Sequence, residues 1–191
     1  MQDTTVLRSK SIALVGIMGA LGNVLALISI SIGFIQSQVA WDLSNLAVAI
    51  VALYAGWRLG WLTGLIAGFV PGIMYGFVIG QLGILGVFGL MFGKGLTGLT
   101  VGILAKFSGI LKRNRASLLA IPVVLVGYIP ESLFTIFFFA VMLPFFIPGG
   151  WALFLIPIVI KAWAEMILIS LFMSALVGNS GFSKFIDHYL G

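Results

Sequence analysis

The sequence predicts an all-α integral membrane protein: a compact bundle of six transmembrane helices with both termini in the cytoplasm. Of its 191 residues, 61% are apolar and a further 25 are glycine, whereas only 8% are charged. Soluble domains average about 25% charged residues, and a soluble globule of this size cannot bury so much apolar surface. The apolar residues form long runs, and the basic residues between these runs fall on one side of the predicted membrane.

Six apolar segments reach or approach the roughly 20 residues that a spanning helix needs. Within a single membrane domain, 1–191, they cover about 11–35, 42–57, 61–80, 82–105, 117–143 and 151–177. The second and third segments, if merged, would make one helix of about 57 Å at 1.5 Å per residue. That length is nearly twice the hydrocarbon thickness, so the sequence predicts a tight turn at Arg58 between two separate spans.

Basic residues decide the orientation. Those outside the spans all fall on one side, and they are Arg8, Lys10, Arg58, Lys106, Lys112, Arg113, Arg115 and Lys184. The positive-inside rule then places both termini in the cytoplasm, in a multi-pass protein of the cell membrane that contacts the lipid bilayer. The net charge of +5 is scattered rather than gathered into a binding patch, so nucleic acid is not an expected partner.

Glycine recurs at every fourth position from Gly56 to Gly80. Positions four apart share a helix face, so the third span presents a smooth groove that a neighbouring backbone can approach closely. Tight packing within the bundle and a surface on which a partner slides both fit this pattern.

Four ionisable residues lie inside otherwise apolar spans: Lys94 in the fourth, Glu131 in the fifth, and Lys161 and Glu165 in the sixth. Such groups are costly in a membrane and usually face one another or a polar cavity. One interpretation is a structural ion-pair network that includes Lys161 and Glu165 at i,i+4. The other is a polar ligand site between spans four, five and six, where Thr135 and neighbouring aromatic rings supply the mixed lining of a small-molecule pocket.

The sequence does not indicate an enzyme. It has no cysteine and one histidine, which excludes thiol catalysis, zinc–thiolate sites and multi-histidine metal sites. It also lacks a Walker A motif, and no cofactor is expected. Asp42, which opens the second span, is interpreted as the N-cap of that helix at the outer interface.

Two stretches carry a family resemblance. The segment Asp42-Leu43-Ser44-Asn45-Leu46 and the glycine-rich segment 56–68 resemble the substrate-binding S components of energy-coupling factor (ECF) transporters. Those proteins tend to show an Asp-hydrophobic-Ser opening, a short second span, a Gly-x-x-x-Gly turn and a glycine-rich third span. Their length and their six spans with cytoplasmic ends are also similar.

The resemblance implies a high-affinity subunit that captures a vitamin or related micronutrient from outside the cell. It implies docking on a transmembrane coupling protein that is driven by two ATPase subunits. The ligand is then expected in the outer half, walled by spans four to six and capped by the loop between spans one and two. The substrate-binding residues expected there are Gln36, Gln38, Trp41, Lys94, Glu131, Thr135, Trp151 and Lys161, while Glu165 is expected to lie deeper.

The same resemblance points to the first span as the docking helix, since that family usually carries Ala-x-x-x-Ala there. The nearest match is Gly16-Ile-Met-Gly-Ala20, with Ala13 about one turn earlier. Two other functions stay open. One is a small ion- or proton-coupled secondary carrier, in which Glu131 and Glu165 are proton sites. The other is a structural membrane assembly subunit whose buried charges hold its helices together.

Overall fold

The computed structural model describes residues 9–32, 34–36, 39–79, 82–112, 116–147, 149 and 152–190. They form a helical bundle with one short antiparallel ribbon. In chain order the elements are α1 (Ser9–Ile32), β1 (Phe34–Gln36), β2 (Val39–Ala40), α2 (Asn45–Ala55), α3 (Trp57–Val78), α4 (Gly83–Ser108), α5 (Ala116–Phe146), α6 (Ala152–Gly178) and α7 (Ser180–Leu190). A 3-10 turn, Ile110–Lys112, follows α4.

The chain is a multi-pass membrane protein by the length and composition of its helices. Within the described residues, α1, α3, α4, α5 and α6 are each long and apolar enough to cross a bilayer. The sixth predicted span corresponds to α2, which is apolar but has only 11 residues. It is therefore about 16 Å long, roughly half of the hydrocarbon thickness.

Although it is short, α2 carries the chain back along the bundle. Gly19 in α1 lies against Ile66 in α3, and one turn later Asn23 accepts a hydrogen bond from the N–H of Val70 (3.0 Å). Helices α1 and α3 are therefore parallel, and the chain must return between them. It does so through α2, because Gly60 packs on Ala52 on the opposite side of the reversal.

The reversal between α2 and α3 lies at Gly56, two residues before the turn that we predicted at Arg58. Gly56 has φ +90°, a conformation that side chains with a Cβ rarely adopt. A single residue therefore makes the reversal, instead of the few residues between the two predicted spans. Arg58 lies in the first turn of α3, where its guanidinium stands 5.0 Å from the ring centre of Trp57.

The glycine repeat of α3 is filled by α4. A Cβ added at Gly60 would lie 2.6 Å from the carbonyl oxygen of Gly98, and one at Gly68 would lie 2.6 Å from the Cα of Met91. A Cβ at Gly64 would overlap the backbone of Lys94. Packing on α4 thus accounts for the repeat from Gly60 to Gly76, and the register shows that α3 and α4 are antiparallel. Gly80, the last predicted member of the repeat, lies outside the described residues.

The two remaining long helices continue the alternation. Gly127 in α5 packs on Val101 in α4, one turn from the contact between Glu131 and Thr97. The hydroxyl of Ser117, near the start of α5, donates to the carbonyl of Ser174 near the end of α6 (2.8 Å). Helices α1 to α6 therefore alternate in direction, each antiparallel to the one before it. As a result, α1 begins at the end of the bundle where α6 finishes.

The tail after the last long helix is itself helical. In α7, Phe182 packs edge-on against Tyr54 with ring centres 5.7 Å apart, and Ser183 shares a hydrogen bond with the same tyrosine (3.0 Å). Since Tyr54 is next to the last residue of α2, α7 covers the end of the bundle that holds the Gly56 turn.

The two halves of the bundle are packed differently. The half near Gly56 is solid, with a core of buried apolar side chains that includes Ala52, Val101, Ala120, Met166 and Met173. The other half encloses a cavity. Large apolar side chains such as Ile17, Ile32, Phe88, Leu153 and Ile160 are exposed on the outside, as expected for a lipid-facing surface.

Candidate functional site

A cavity of about 140 Å³ lies between α3, α4, α5 and α6 and the segment before α2. A single water needs roughly 10–15 Å³, so this space admits a small organic molecule. The polar residues that line it are Asp42, Asn45, Lys94, Glu131, Thr135, Lys161 and Glu165, and the aromatic ones are Tyr75, Tyr128, Phe134, Phe138, Phe139 and Phe154.

Asp42 and Lys94 form a buried ion pair. The Nζ of Lys94 lies 2.7 Å from the Oδ2 of Asp42, and the two residues are only 3% and 6% exposed. The second carboxylate oxygen of Asp42 accepts a hydrogen bond from the N–H of Ser44 (3.0 Å). This pair fixes the start of α2 to the middle of α4.

The N-cap role that we predicted for Asp42 is wrong, because α2 begins at Asn45 and its N-cap residue is Ser44, with no side-chain capping hydrogen bond. Because α2 is short, Asp42, which is three residues before its start, does not reach the end of the bundle but lies at the depth of Lys94. The Asp42 carboxylate accepts from the N–H of Ser44, the N-cap residue itself, whereas a cap accepts from the second or third residue of the helix. Its ion pair with Lys94 instead lines the cavity.

Glu165 joins the same network from α6. It accepts a hydrogen bond from the backbone N–H of Asp42, and its Oε1 lies 3.2 Å from the Nζ of Lys161. The i,i+4 pair expected from the sequence is thus present. Glu165 nevertheless lines the cavity and is not too deep to reach it.

Glu131 differs from the other two carboxylates because it has no lysine partner among the described residues. Its Oε2 accepts hydrogen bonds from the hydroxyl of Thr97 and from the amide of Asn45 (3.3 Å). Its Oε1 would lie 3.7 Å from a Cβ added at Gly93, a residue that also lines the cavity. The carboxylate is therefore held in place from one side and presented to the cavity on the other.

The walls of the cavity are aromatic. The rings of Phe134 and Phe138 lie 5.9 Å apart, and those of Phe138 and Phe139 lie 5.6 Å apart. Tyr75 belongs to a π-helical turn in α3, Met74–Val78, and two of these rings begin a second one in α5, Phe138–Met142. A π-helical turn inserts a residue into a helix and is frequent at functional sites.

The floor of the cavity is closed toward the solid half of the bundle. Tyr128 and Trp163 pack edge-on with ring centres 5.3 Å apart, and the indole N–H of Trp163 donates to the hydroxyl of Ser132 (3.0 Å). Below them lies Met166, which is 1% exposed. Access from the Gly56 end is therefore blocked by packed side chains.

The structure brings half of the predicted substrate residues together. Lys94, Glu131, Thr135 and Lys161 line the cavity. Trp41 is half-buried and is not one of the lining residues. The backbone of Gln36 is in β1, but its side chain, like the whole of Gln38 and Trp151, lies outside the part of the chain that the structure describes.

Asp42 and Asn45 were not predicted to be site residues, and Glu165 was expected to lie deeper than the ligand. One signal could have located the first two. A second span of about 15 residues is too short to begin at the outer surface if it ends at the inner one, so its first residues must lie at mid-depth. The carboxylate of Asp42 is then at the level of Lys94, which is near the middle of α4.

The arrangement can bind a small molecule that has both apolar and polar groups. Fixed charges on a rigid floor orient a ligand, and aromatic walls remove it from water. Within the described residues, no group of three or more acidic, histidine or cysteine side chains is placed to hold a metal ion.

The predicted docking residues lie on the outside of α1. Ala13, Gly16 and Ala20 are all exposed, and a Cβ added at Gly16 would have no atom within 4 Å. The neighbouring glycines differ, since a Cβ at Gly19 would lie 2.6 Å from the side chain of Ile66. The small residues of α1 therefore fall into an outer set and a set that packs inside the bundle.

Comparison of the chain with protein-family models, with curated proteins and with solved structures finds no match.

Proposed function

We propose that this protein is the membrane-embedded substrate-binding subunit of an ECF-type importer. In this proposal it captures a vitamin or related micronutrient from outside the cell membrane and delivers it through an ATP-driven coupling module. Its partners are then a transmembrane coupling protein and two ATPase subunits. It binds its substrate and performs no catalysis.

The cavity is the observation that carries this proposal. Five ionisable residues from α4, α5, α6 and the segment before α2 line the cavity together with six aromatic residues. Charged groups are rarely retained in a membrane bundle without a use, and replacing a buried ion pair by apolar residues is often neutral or stabilising. A ligand site explains why the charges line an open space.

The position of the cavity supports capture from outside. It lies in the half of the bundle that contains the connection from α1 to α2, opposite the end where α1 begins and α6 finishes. We propose six spans, with α2 as a short one and both termini in the cytoplasm. The basic residues Lys10, Arg58 and Lys106 are then cytoplasmic, in agreement with the positive-inside rule.

The outer face of α1 is the proposed docking surface for the coupling protein. Small side chains at Ala13, Gly16 and Ala20 allow another helix to approach the backbone closely. The proposal rests on the family resemblance, and the exposure of these three residues is compatible with it.

Identification of the bound compound, followed by an uptake assay, tests the proposal. The compound that is released when the purified protein is denatured is identified by mass spectrometry. Its uptake is then measured in vesicles that contain this chain with and without the coupling protein and ATPases. We expect uptake only with the complete assembly and ATP.

The two other functions give different results in the same assay. Uptake by the chain alone, abolished by a protonophore, would identify a proton-coupled carrier. A protein that releases no compound and takes up none in any assembly would identify a structural subunit.

A further inference from the structure

The charges on the cavity wall do not balance. Three carboxylates, those of Asp42, Glu131 and Glu165, face two ammonium groups, those of Lys94 and Lys161. Each lysine already has a carboxylate partner, at 2.7 Å and 3.2 Å respectively. One formal negative charge is therefore left over, and by elimination it is that of Glu131.

The hydrogen-bonding groups at the site show a related imbalance, because an acceptor there lacks a donor. Within the described residues, the Oε1 of Glu131 has no donor, although it faces the cavity at Gly93. An acceptor that is removed from water without a donor is unfavourable, so the Oε1 of Glu131 calls for an N–H or O–H group.

The remaining surface favours a positively charged ring. Phe134, Phe138 and Phe139 form a continuous aromatic wall beside Glu131. The face of an aromatic ring attracts a cation, and the attraction grows when both are removed from water. A negative charge, an acceptor without a donor and an aromatic wall therefore all select the same chemistry.

We propose that the ligand of this site is an aromatic or heteroaromatic monocation that carries N–H donors. This inference rests on the proposed function and narrows its substrate class. The cation neutralises Glu131, donates to its Oε1, and stacks against the phenylalanine wall. A proton on Glu131 is the competing way to balance the charge, and it would favour a neutral ligand.

Three ring compounds of nearly equal shape separate these possibilities. Benzamidine is a cation at neutral pH, benzamide is neutral and benzoate is an anion. Binding of each to the purified chain is measured by calorimetry after extensive dialysis. We expect the cation to bind about tenfold tighter than benzamide or more, since hydrogen bonds to charged groups are stronger than neutral ones, and benzoate to bind weakest.

Two variants with opposite effects test the assignment of the charge. Glu131→Gln removes the excess carboxylate and should lower the affinity for benzamidine to about that for benzamide. Lys161→Met removes a positive charge from the same site, leaves Glu165 without its lysine, and should therefore tighten benzamidine binding. Ser117→Ala, which changes a polar side chain of α5 far from the cavity, is the control and should leave all three affinities unchanged.

Several results would overturn the inference, and the charge series in the unmodified chain does so even where a variant fails to fold. Equal or tighter binding of benzamide or benzoate, or no binding of any of the three, contradicts a cation site. Full retention of the cation preference in Glu131→Gln contradicts the assigned residue. A neutral or anionic compound released from the purified protein would overturn this inference and leave the proposed function intact, whereas a protein that releases none counts against the function itself.

Discussion

Asp42 and Glu131 both have carboxylates that line the cavity, but the partner of Asp42 is charged and the partners of Glu131 are neutral. Asp42 neutralises Lys94 at 2.7 Å, whereas Glu131 accepts hydrogen bonds from Thr97 and Asn45 and has no lysine within salt-bridge distance in the described part of the chain. Removing the Asp42 charge therefore takes from Lys94 its directly bonded carboxylate, whereas removing the Glu131 charge leaves both lysines with theirs. Their effects on the stability of the ligand-free protein should differ accordingly.

Asp42→Asn should destabilise the ligand-free protein strongly. Breaking a buried ion pair from one side costs about 3–5 kcal/mol, because the remaining charge stays buried without a partner. For a chain of this size we expect the melting temperature in detergent to fall by roughly 6–20 °C. Glu131→Gln, which strands no lysine, should change it little.

The double variant Asp42→Asn with Lys94→Met is the control for this prediction. It removes the stranded ammonium group, so much of the lost stability should return. Equal melting temperatures for Asp42→Asn and Glu131→Gln would show that the ion pair does not have the role assigned to it.

The residue scale is also where the sequence was least informative. The charges at Lys94, Glu131 and Lys161 stand out because they interrupt apolar spans, and a charge in a membrane helix is itself a signal. Asp42 gives no such signal, since an acidic residue at the start of a helix has an ordinary explanation as a cap. That Asp42 meets Lys94 could be inferred only from the shortness of α2, which places the start of that helix at mid-depth.

At the scale of the helices, the α3–α4 contact depends on the absence of Cβ atoms. Gly64→Ala would place a Cβ against the backbone of Lys94, which cannot move without disturbing the cavity. We expect a loss of about 1–3 kcal/mol, as for other overpacked positions, measured by thermal unfolding of the purified protein.

Gly93→Ala is the matched control on α4. Its new Cβ would lie 3.5 Å from the Cγ of Glu131, an ordinary contact distance, and alanine favours a helix over glycine. The ligand-free protein should keep its stability. If both alanine variants unfold at the same temperature, close packing of α3 on α4 does not explain the glycine repeat.

Helix α1 offers a similar comparison for docking. Gly16→Leu adds a side chain where no atom lies within 4 Å, whereas Gly19→Leu adds one against Ile66 at 2.6 Å. We expect Gly19→Leu to destabilise the isolated chain. Gly16→Leu should leave it stable and bound to its compound but reduce its recovery with the coupling protein in a pull-down. Full recovery of Gly16→Leu would place the docking surface elsewhere.

Most elements could be predicted, and the misplaced boundaries have a common cause. Five long helices follow directly from apolar runs, because a bilayer requires about 20 such residues. The turn at Gly56 was placed two residues late, since hydropathy does not register a single positive φ. The two π-helical turns, which carry Tyr75, Phe138 and Phe139 into the cavity wall, have no hydropathy signature either.

At the scale of the whole molecule, the number of membrane crossings decides where the termini lie. The chain has no cysteine, so single cysteines at Lys10 and Lys184 can be labelled with an impermeant thiol reagent in intact cells. Six crossings predict that both are protected and that a cysteine at Gly149 reacts. Labelling of only one terminus would mean an odd number of crossings and would exclude α2 as a span.

The central claim is that the cavity between α3, α4, α5 and α6 binds a small molecule, and ligand release from a filled cavity tests it most directly. Gly93→Leu introduces a side chain beside Glu131 and Phe134, whereas Gly16→Leu adds the same side chain on the outer face of α1. Mass spectrometry then quantifies the compound that each purified, denatured protein releases. The account predicts one compound, at about one copy per chain, from the unmodified protein and from Gly16→Leu, and almost none from a folded Gly93→Leu. Release of the same amount by Gly93→Leu, or of no compound by the unmodified protein, would contradict it.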